Sequence, residues 1–213
     1  MSESARFNMV ETQIRPADVT DQRVLAAIMA VPRENFVPRA TAALAYADVP
    51  VAVAPGRYLL DPRSFAKLLQ LAEIGEGDRV LDVGCGTGYS SAVLARLAGE
   101  VIALEQDADL VRAASQLLAG AVGKVEVAQG GLVEGVKGRA PFDVIFINGA
   151  VEQVPETLLN QLAEGGRLVT FLKDGQSRAW LFLKEKGQVG KRSDFDAEVP
   201  LLAGFRKAVG FIF

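Results

Sequence analysis

Histidine is absent from these 213 residues, and cysteine occurs once, at Cys85. Without histidine there is no Ser-His-Asp or Cys-His dyad, no imidazole base and no His-ligated zinc. One thiol excludes an internal disulfide and a cysteine-cluster metal site, so no metal centre is expected. No apolar run approaches the ~20 residues of a membrane helix. The first residues, Met1-Ser-Glu-Ser-Ala-Arg-Phe7, lack the basic start and apolar run of a secretory signal. Excess charge is scarce as well: 23 Lys+Arg against 26 Asp+Glu leave −3, with no basic footprint for nucleic acid. The densest basic stretch (Lys184, Lys186, Lys191, Arg192) is interrupted by Glu185 and marked by Gly187 and Gly190, and reads as a solvated hairpin tip. A cytoplasmic protein that engages neither nucleic acid nor membrane is expected. Any catalysis must manage without a side chain that titrates near neutrality in its unperturbed state.

What is present is enough apolar material for a core. Half of the residues (50%) are hydrophobic, and a chain of this length buries roughly 70% of its unfolded surface. Residues 1–75 read as a helical and irregular extension. Thr20 or Asp21 can cap a helix carrying Val24, Leu25, Ile28 and Met29 on one face, and Val31-Pro32 stops it. A loop-rich stretch follows through Pro38, Pro50, Pro55 and Gly56. Asp61-Pro62 then opens a second helix with Phe65, Leu68, Leu69 and Ala72 inward.

Over residues 76–213 the pattern changes to short apolar runs alternating with helical stretches. The runs are Arg79–Val83, Val101–Leu104, Val125–Ala128, Val144–Ile147 and Arg167–Leu172. Between them, Ser90–Leu97, Asp107–Leu118 and Pro155–Leu162 carry apolar residues three or four apart, with Gly165-Gly166 closing the last helix. Continuous apolar runs predict strands covered on both faces, and the alternation predicts an α/β, doubly wound, mostly parallel sheet. Strand formers at Trp180–Lys184, Glu198–Leu202 and Ala208–Phe213 predict an antiparallel end to it.

The sharpest local signal is Val80-Leu-Asp82-Val-Gly84-Cys85-Gly86-Thr-Gly88-Tyr89, a strand running into a glycine loop that opens a helix. Gly84 and Gly86 allow a tight turn and close backbone approach to a ligand, and Gly88 lets the helix pack on the strand. A dinucleotide fingerprint asks for its third glycine at position 89, which is Tyr. A nicotinamide oxidoreductase is therefore the weakest reading. Glu105 closes the second strand, 21 positions after Gly84, where a carboxylate can accept from both hydroxyls of a ribose. Its blander role is a helix N-terminal acid beside Asp107 and Asp109. Asp82 is either a polar strand end or an acceptor for a ligand ammonium and the loop amides. Cys85 fills a place that needs a small side chain, with no basic neighbour to make it a nucleophile.

Together these residues resemble the class I S-adenosylmethionine-dependent methyltransferases. Ala140-Pro-Phe-Asp-Val-Ile-Phe-Ile-Asn148-Gly-Ala and Leu162-Ala-Glu-Gly-Gly-Arg-Leu168 agree with that likeness. Within the superfamily the chain is similar to the protein-L-isoaspartate O-methyltransferases over most of its length. The likeness is carried by Met9-Val, by Asp21-Gln-Arg-Val-Leu-Ala-Ala-Ile-Met-Ala-Val-Pro-Arg-Glu-Asn-Phe-Val-Pro38, by Tyr46-Ala-Asp-Val-Pro50 and by Gln153-Val-Pro155. The resemblance implies a Rossmann-like, seven-stranded methyltransferase fold whose N-terminal extension forms part of the substrate cleft. It implies S-adenosylmethionine as cofactor, S-adenosylhomocysteine as product, and an isoaspartyl protein or peptide as acceptor. Asp82, Gly84, Cys85, Gly86, Gly88, Glu105, Gln106, Gln129 and Asn148 become the cofactor-binding candidates.

The chain departs from the family in two places. Where the family reads G-Q-T-I-S-x-P with its active-site serine, this chain reads Gly56-Arg-Tyr58-Leu-Leu60-Asp61-Pro62. Leu60 cannot donate a hydrogen bond, and Asp61 reads as a helix N-cap. Tyr58, Leu60 and Asp61 are the substrate-loop candidates, with no catalytic residue assigned among them. In Val127-Ala-Gln129-Gly-Gly131-Leu, Gly131 stands where the family carries an aspartate near the adenine amino group, and Gln129 or a backbone carbonyl is the substitute. A carboxylate acceptor is already ionised at neutral pH, with a pKa near 4, so the missing histidine is compatible with carboxyl methylation. The departures keep two alternatives open: another acceptor, such as a small carboxylate or an aromatic metabolite, or a cofactor-binding homologue without catalysis.

Overall fold

The computed structural model describes residues 2–120 and 124–206. Helix α1 (Ser2–Met9) runs through a π-helical turn (Val10–Ile14) toward α2 (Gln22–Ala30). Asp21 is the α2 N-cap, accepting from the Arg23 amide at 2.8 Å, and Val31 leaves the helix in an extended conformation. A short hairpin, β1 (Val51–Ala54) and β2 (Arg57–Leu59), precedes α3 (Pro62–Ala72). Pro62 takes the first position of α3, and Asp61 caps it through the Ser64 amide at 2.8 Å. The predicted loop from Pro38 to Gly56 thus contains one strand, β1, and leads directly into β2, both too short to show a period.

The alternating half follows as β3 (Arg79–Val83), α4 (Tyr89–Leu94), β4 (Glu100–Glu105), α5 (Ala108–Leu118), β5 (Val125–Gln129), β6 (Phe142–Val151), α6 (Glu156–Leu159), β7 (Leu162–Asp174), β8 (Gln176–Glu185) and β9 (Gln188–Asp196). Among the described residues these strands form a seven-stranded sheet in the order β5-β4-β3-β6-β7-β8-β9. The first five are parallel, and β8 and β9 are antiparallel. Successive strand residues point to opposite faces, so Val80, Val101 and Val144 enter one apolar core while Leu81, Ile102 and Ile145 enter the other. The first core also takes Val24, Ile28, Phe65 and Leu68, which seats α2 and α3 on the sheet.

The differences from the sequence reading have local causes. Helix α6 ends at Leu159, and Gly165-Gly166 lie inside β7, not at a helix end. There the register of β7 against β6 shifts between Leu162 and Arg167, and a Cβ on Gly166 would meet the carbonyls of Ala163 and Phe142 at 2.9 Å. The glycine pair therefore makes a bulge. The basic tip is a turn at Lys186-Gly187, after which β9 runs back along β8 through Lys191 and Arg192. Glu198–Leu202 contributes only a bridge from Leu201 to Ala150, and Ala208–Phe213 lies outside the described residues. No helix among those residues is long and apolar enough to cross a membrane.

Candidate functional site

Strand β3 pairs with β4 on one side and β6 on the other, so chain order reverses at β3. In an open parallel sheet the crevice beyond the strand ends at such a switch point is where ligands sit. The glycine loop (residues 84–88) leaves β3 at this point. Gly84, Gly86 and Gly88 all have φ between +57 and +96, a region that side chains with a Cβ rarely adopt. The Gly84 and Cys85 amides donate to the Leu104 carbonyl at 2.9 and 3.2 Å, folding the loop back over β4.

Glu105, fully buried, is the electrostatic centre of the loop. One carboxylate oxygen accepts from the amides of Gln106 (2.7 Å) and Asp107 (3.1 Å), and the other from Gly86 (3.1 Å). Arg57 Nε from the hairpin lies 3.0–3.1 Å from both oxygens. The pair is almost water-free, with side-chain exposures of 8% and 0%. Gln106 is exposed on the rim, and Gln129, paired with Glu105 across β4 and β5, is also exposed. A Cβ on Gly131 would meet the exposed Glu134 side chain at 3.3 Å, a contact that a small shift of that side chain relieves.

A second polar knot lies beneath the loop. Asp82 accepts from Ser90 Oγ (2.7 Å), from Ser91 Oγ (2.5 Å) and from the Asn148 side-chain amide, which also donates to Ser90 Oγ at 3.0 Å. Its partners are two hydroxyls and an amide; the Gly86 amide goes to Glu105. A register shift of β6 against β7 between Phe146 and Ala150 brackets Asn148, a bulge of the kind that re-aims side chains beside sites. Burial pushes the Asp82 carboxyl up to about 6 against these donors, with the Glu105 charge adding to the rise. Because the folded state then holds a proton more tightly than the unfolded chain, this group favours folding below about pH 4. That contribution is lost as the pH rises through 6. Asp82→Asn is expected to remove about 2–3 kcal/mol of pH dependence between pH 4 and 7, read as the difference between the two proteins' urea unfolding curves. Equal slopes for both would contradict it. Burial and the two nearby carboxylates push the Cys85 thiol well above its ordinary range, so Cys85 is a packing residue.

The Val31–Pro38 motif holds the wall opposite. Arg33 is buried, donates to the carbonyls of Ala45 (2.7 Å) and Leu60, and lies 4.8 Å over the Tyr89 ring. Phe36 and Phe65 pack their rings on Tyr89 at 5.7 and 5.4 Å. Thr87 in the glycine loop donates to the Phe36 carbonyl at 2.6 Å. One motif thus fixes both the glycine loop and the 57–61 segment. Tyr58 is 38% exposed at the mouth, Leu60 is buried, and Asp61 is spent on its helix cap.

The structure therefore gathers Tyr58, Leu60, Gly84, Cys85 and Asn148 around one cavity, with Asp82 bonded to Asn148 behind it and Glu105 bonded to Gly86 beside it, while Gly88 faces Leu118 and Ala114 of α5. Gln106 and Gln129 stay on the rim. Sequence reasoning misses Arg57, Ser90, Ser91 and Leu202. Leu202 packs so closely that a Cβ on Gly84 would meet it at 3.0 Å and one on Gly149 at 2.9 Å. No cluster of metal-ligating side chains occurs among the described residues.

Comparison with known proteins gives the family. A family model described as protein-L-isoaspartate(D-aspartate) O-methyltransferase matches residues 4–199. The chain is 37% identical over 201 residues to a protein-L-isoaspartate O-methyltransferase of Koribacter versatilis, covering 92% of this chain and 90% of the relative. It is 38% identical over 207 residues to one of Methylorubrum populi, covering 96% and 98%. A solved protein-L-isoaspartate O-methyltransferase superposes with a TM-score of 0.80 at 25% identity, over 96% of this chain and 66% of that one.

Proposed function

The chain belongs to the protein-L-isoaspartate(D-aspartate) O-methyltransferase family, and on that premise we propose how its own residues serve the family's reaction. The protein is an S-adenosylmethionine-dependent O-methyltransferase that methylates a carboxylate of isoaspartyl residues in protein and releases S-adenosylhomocysteine. The observation that carries the residue assignment is the meeting of the glycine loop with buried Glu105 at the sheet's switch point.

The donor set suits a nucleoside-bearing sulfonium. An ionised carboxylate is acceptor-only, so Glu105 is matched to ribose hydroxyls, with Gln106 and Gln129 flanking it on the rim. Gly84 and Gly86 leave backbone bare on the ligand side, and Gly88 lets α4 begin directly behind. Asp82 and Asn148, locked together through Ser90, form the polar floor. When bound, the sulfonium supplies an activated methyl group. The protein's part is alignment and exclusion of water, worth up to ~7–11 kcal/mol of barrier in favourable cases. An isoaspartyl carboxylate, with a pKa near 4, is ionised at neutral pH and requires no general base. We assign residues 1–75 to the acceptor side and residues 76–213 to the donor side, with Tyr58 and Leu60 as an apolar wall between them. The family model that matches residues 4–199 is named for a protein substrate, which supports a polypeptide acceptor.

Incubation with methyl-labelled donor tests this reading. A base-labile methyl ester is expected on an isoaspartyl peptide and not on its aspartyl twin. A protein that binds donor but labels neither would overturn the acceptor assignment. Leu60→Ser restores a hydroxyl where the family carries one. It is expected to raise kcat/KM for the isoaspartyl peptide about 10–100-fold, since a hydrogen bond to a charged group contributes ~1.5–3 kcal/mol. An unchanged kcat/KM would show that position 60 does not face the acceptor.

A further inference from the structure

The chain itself occupies part of the donor cradle, with Arg57 Nε on both oxygens of Glu105. A pocket for a ligand of drug-like size has a volume of ~300 Å³ or more, whereas the cavity lined by Tyr58, Leu60, Gly84, Tyr89, Ser90 and Asn148 holds about 10 Å³. Two further side chains, neither of them lining that cavity, crowd the glycine loop beside it. Arg57 saturates Glu105, the carboxylate assigned to ribose, and Leu202 lies across Gly84 and Gly149.

The two elements are anchored differently. Leu202 is tied to β6 by its amide on the Ala150 carbonyl (2.8 Å), with Ala150 donating to Pro200 at 2.9 Å. The β1–β2 hairpin has strands of four and three residues, and a ribbon that short is marginal on its own. Its tip touches the Leu202 segment, since a Cβ on Gly56 would meet Ala203 at 3.2 Å. The ion pair to Glu105 and the Arg33 bond to the Leu60 carbonyl hold it down. Position 57 is glutamine in the family loop; an uncharged amide there could not hold Glu105 with an ion pair.

We propose that Arg57 is a latch that sets this chain's donor affinity: its guanidinium occupies Glu105 until the nucleoside displaces it and the β1–β2 hairpin lifts. The proposal rests on Glu105 as the ribose acceptor. Donor binding is then weaker than the polar set alone would give, because each binding event breaks a buried ion pair and moves a strand pair. Arg57 is a determinant of donor admission and takes no part in methyl transfer.

Calorimetric titration with S-adenosylhomocysteine, paired with backbone hydrogen exchange, tests the latch. Arg57→Gln is expected to bind at least 10-fold more tightly than the wild type. The Tyr58 and Leu59 amides should exchange faster in this variant, as they should in the wild type when ligand is added. If wild type and Arg57→Gln bind equally, or the variant binds more weakly, the latch is wrong and the donor assignment stands. If no folded variant binds at millimolar ligand, the donor site itself is misassigned. Should Arg57→Gln fail to fold, exchange on the wild type decides: ligand that slows the hairpin amides overturns the latch, and ligand that speeds them supports it.

Discussion

Glu105→Ala is expected to lower the free energy of unfolding by about 3–5 kcal/mol, the usual loss when one partner of a buried ion pair is removed. The reason lies in what remains. Arg57, almost fully buried, would keep its charge with one carbonyl partner, that of Gly56 at 3.2 Å. The amides of Gly86, Gln106 and Asp107 would also lose their acceptor. Arg57→Gln should cost less, because Glu105 retains those three amides. Arg57→Ala combined with Glu105→Ala should recover part of the loss, since no charge is then stranded. A domain holds only ~5–15 kcal/mol in total, so urea unfolding resolves the effect readily. A loss below about 1 kcal/mol for Glu105→Ala would mean that water reaches the pair. The same variant should also lose donor binding.

Gly86→Val is expected to cut affinity for S-adenosylhomocysteine at least 100-fold and to destabilise the fold by about 1–3 kcal/mol. Gly86 sits at φ +57 with its amide on Glu105, so a side chain there strains the backbone and shifts a donor that organises the carboxylate. A Cβ at this position would lie 3.5 Å from Val53 of the hairpin, and the branched methyl groups of valine have to push further into that space. Gly86→Ala carries the same backbone strain without those methyl groups, and should fall between wild type and Gly86→Val in both measurements. Near-normal titration of Gly86→Val would remove the glycine loop from the site.

These predictions draw on features of unequal legibility. Four of the five parallel strands stand out because each contains a continuous apolar run buried between two cores, whereas β5, expected to be covered on both faces, is a half-exposed edge strand interrupted by Glu126. Gly84, Gly86, Gly88 and Glu105 announce themselves through spacing, since backbone approach and ribose binding constrain residue type at fixed intervals. The β1–β2 hairpin is hidden, because Val51–Ala54 is too short to show a period and is framed by prolines. Gly165-Gly166 satisfies the pattern of a helix stop as well as that of a bulge; the choice is made by the pairing of β7 with β6, where the Phe142 carbonyl, 24 residues away, approaches Gly166. Arg57 is the instructive omission. Its partner lies 48 residues away on another strand, and an arginine beside a turn glycine looks like any solvated charge. Leu202 is similar: an apolar residue near the end of the chain carries no mark of the two glycines it covers. Residues that build a ligand site by chemistry are readable, whereas residues that fill it from a distance require the fold.

A crystal structure of the protein saturated with S-adenosylhomocysteine bears most directly on the nucleoside cradle. The expected result is both ribose hydroxyls within hydrogen-bonding distance of Glu105, the ligand backed by residues 84–88, and Arg57 withdrawn from the carboxylate. Ligand seated elsewhere, with Arg57 still on Glu105, would contradict the assignment.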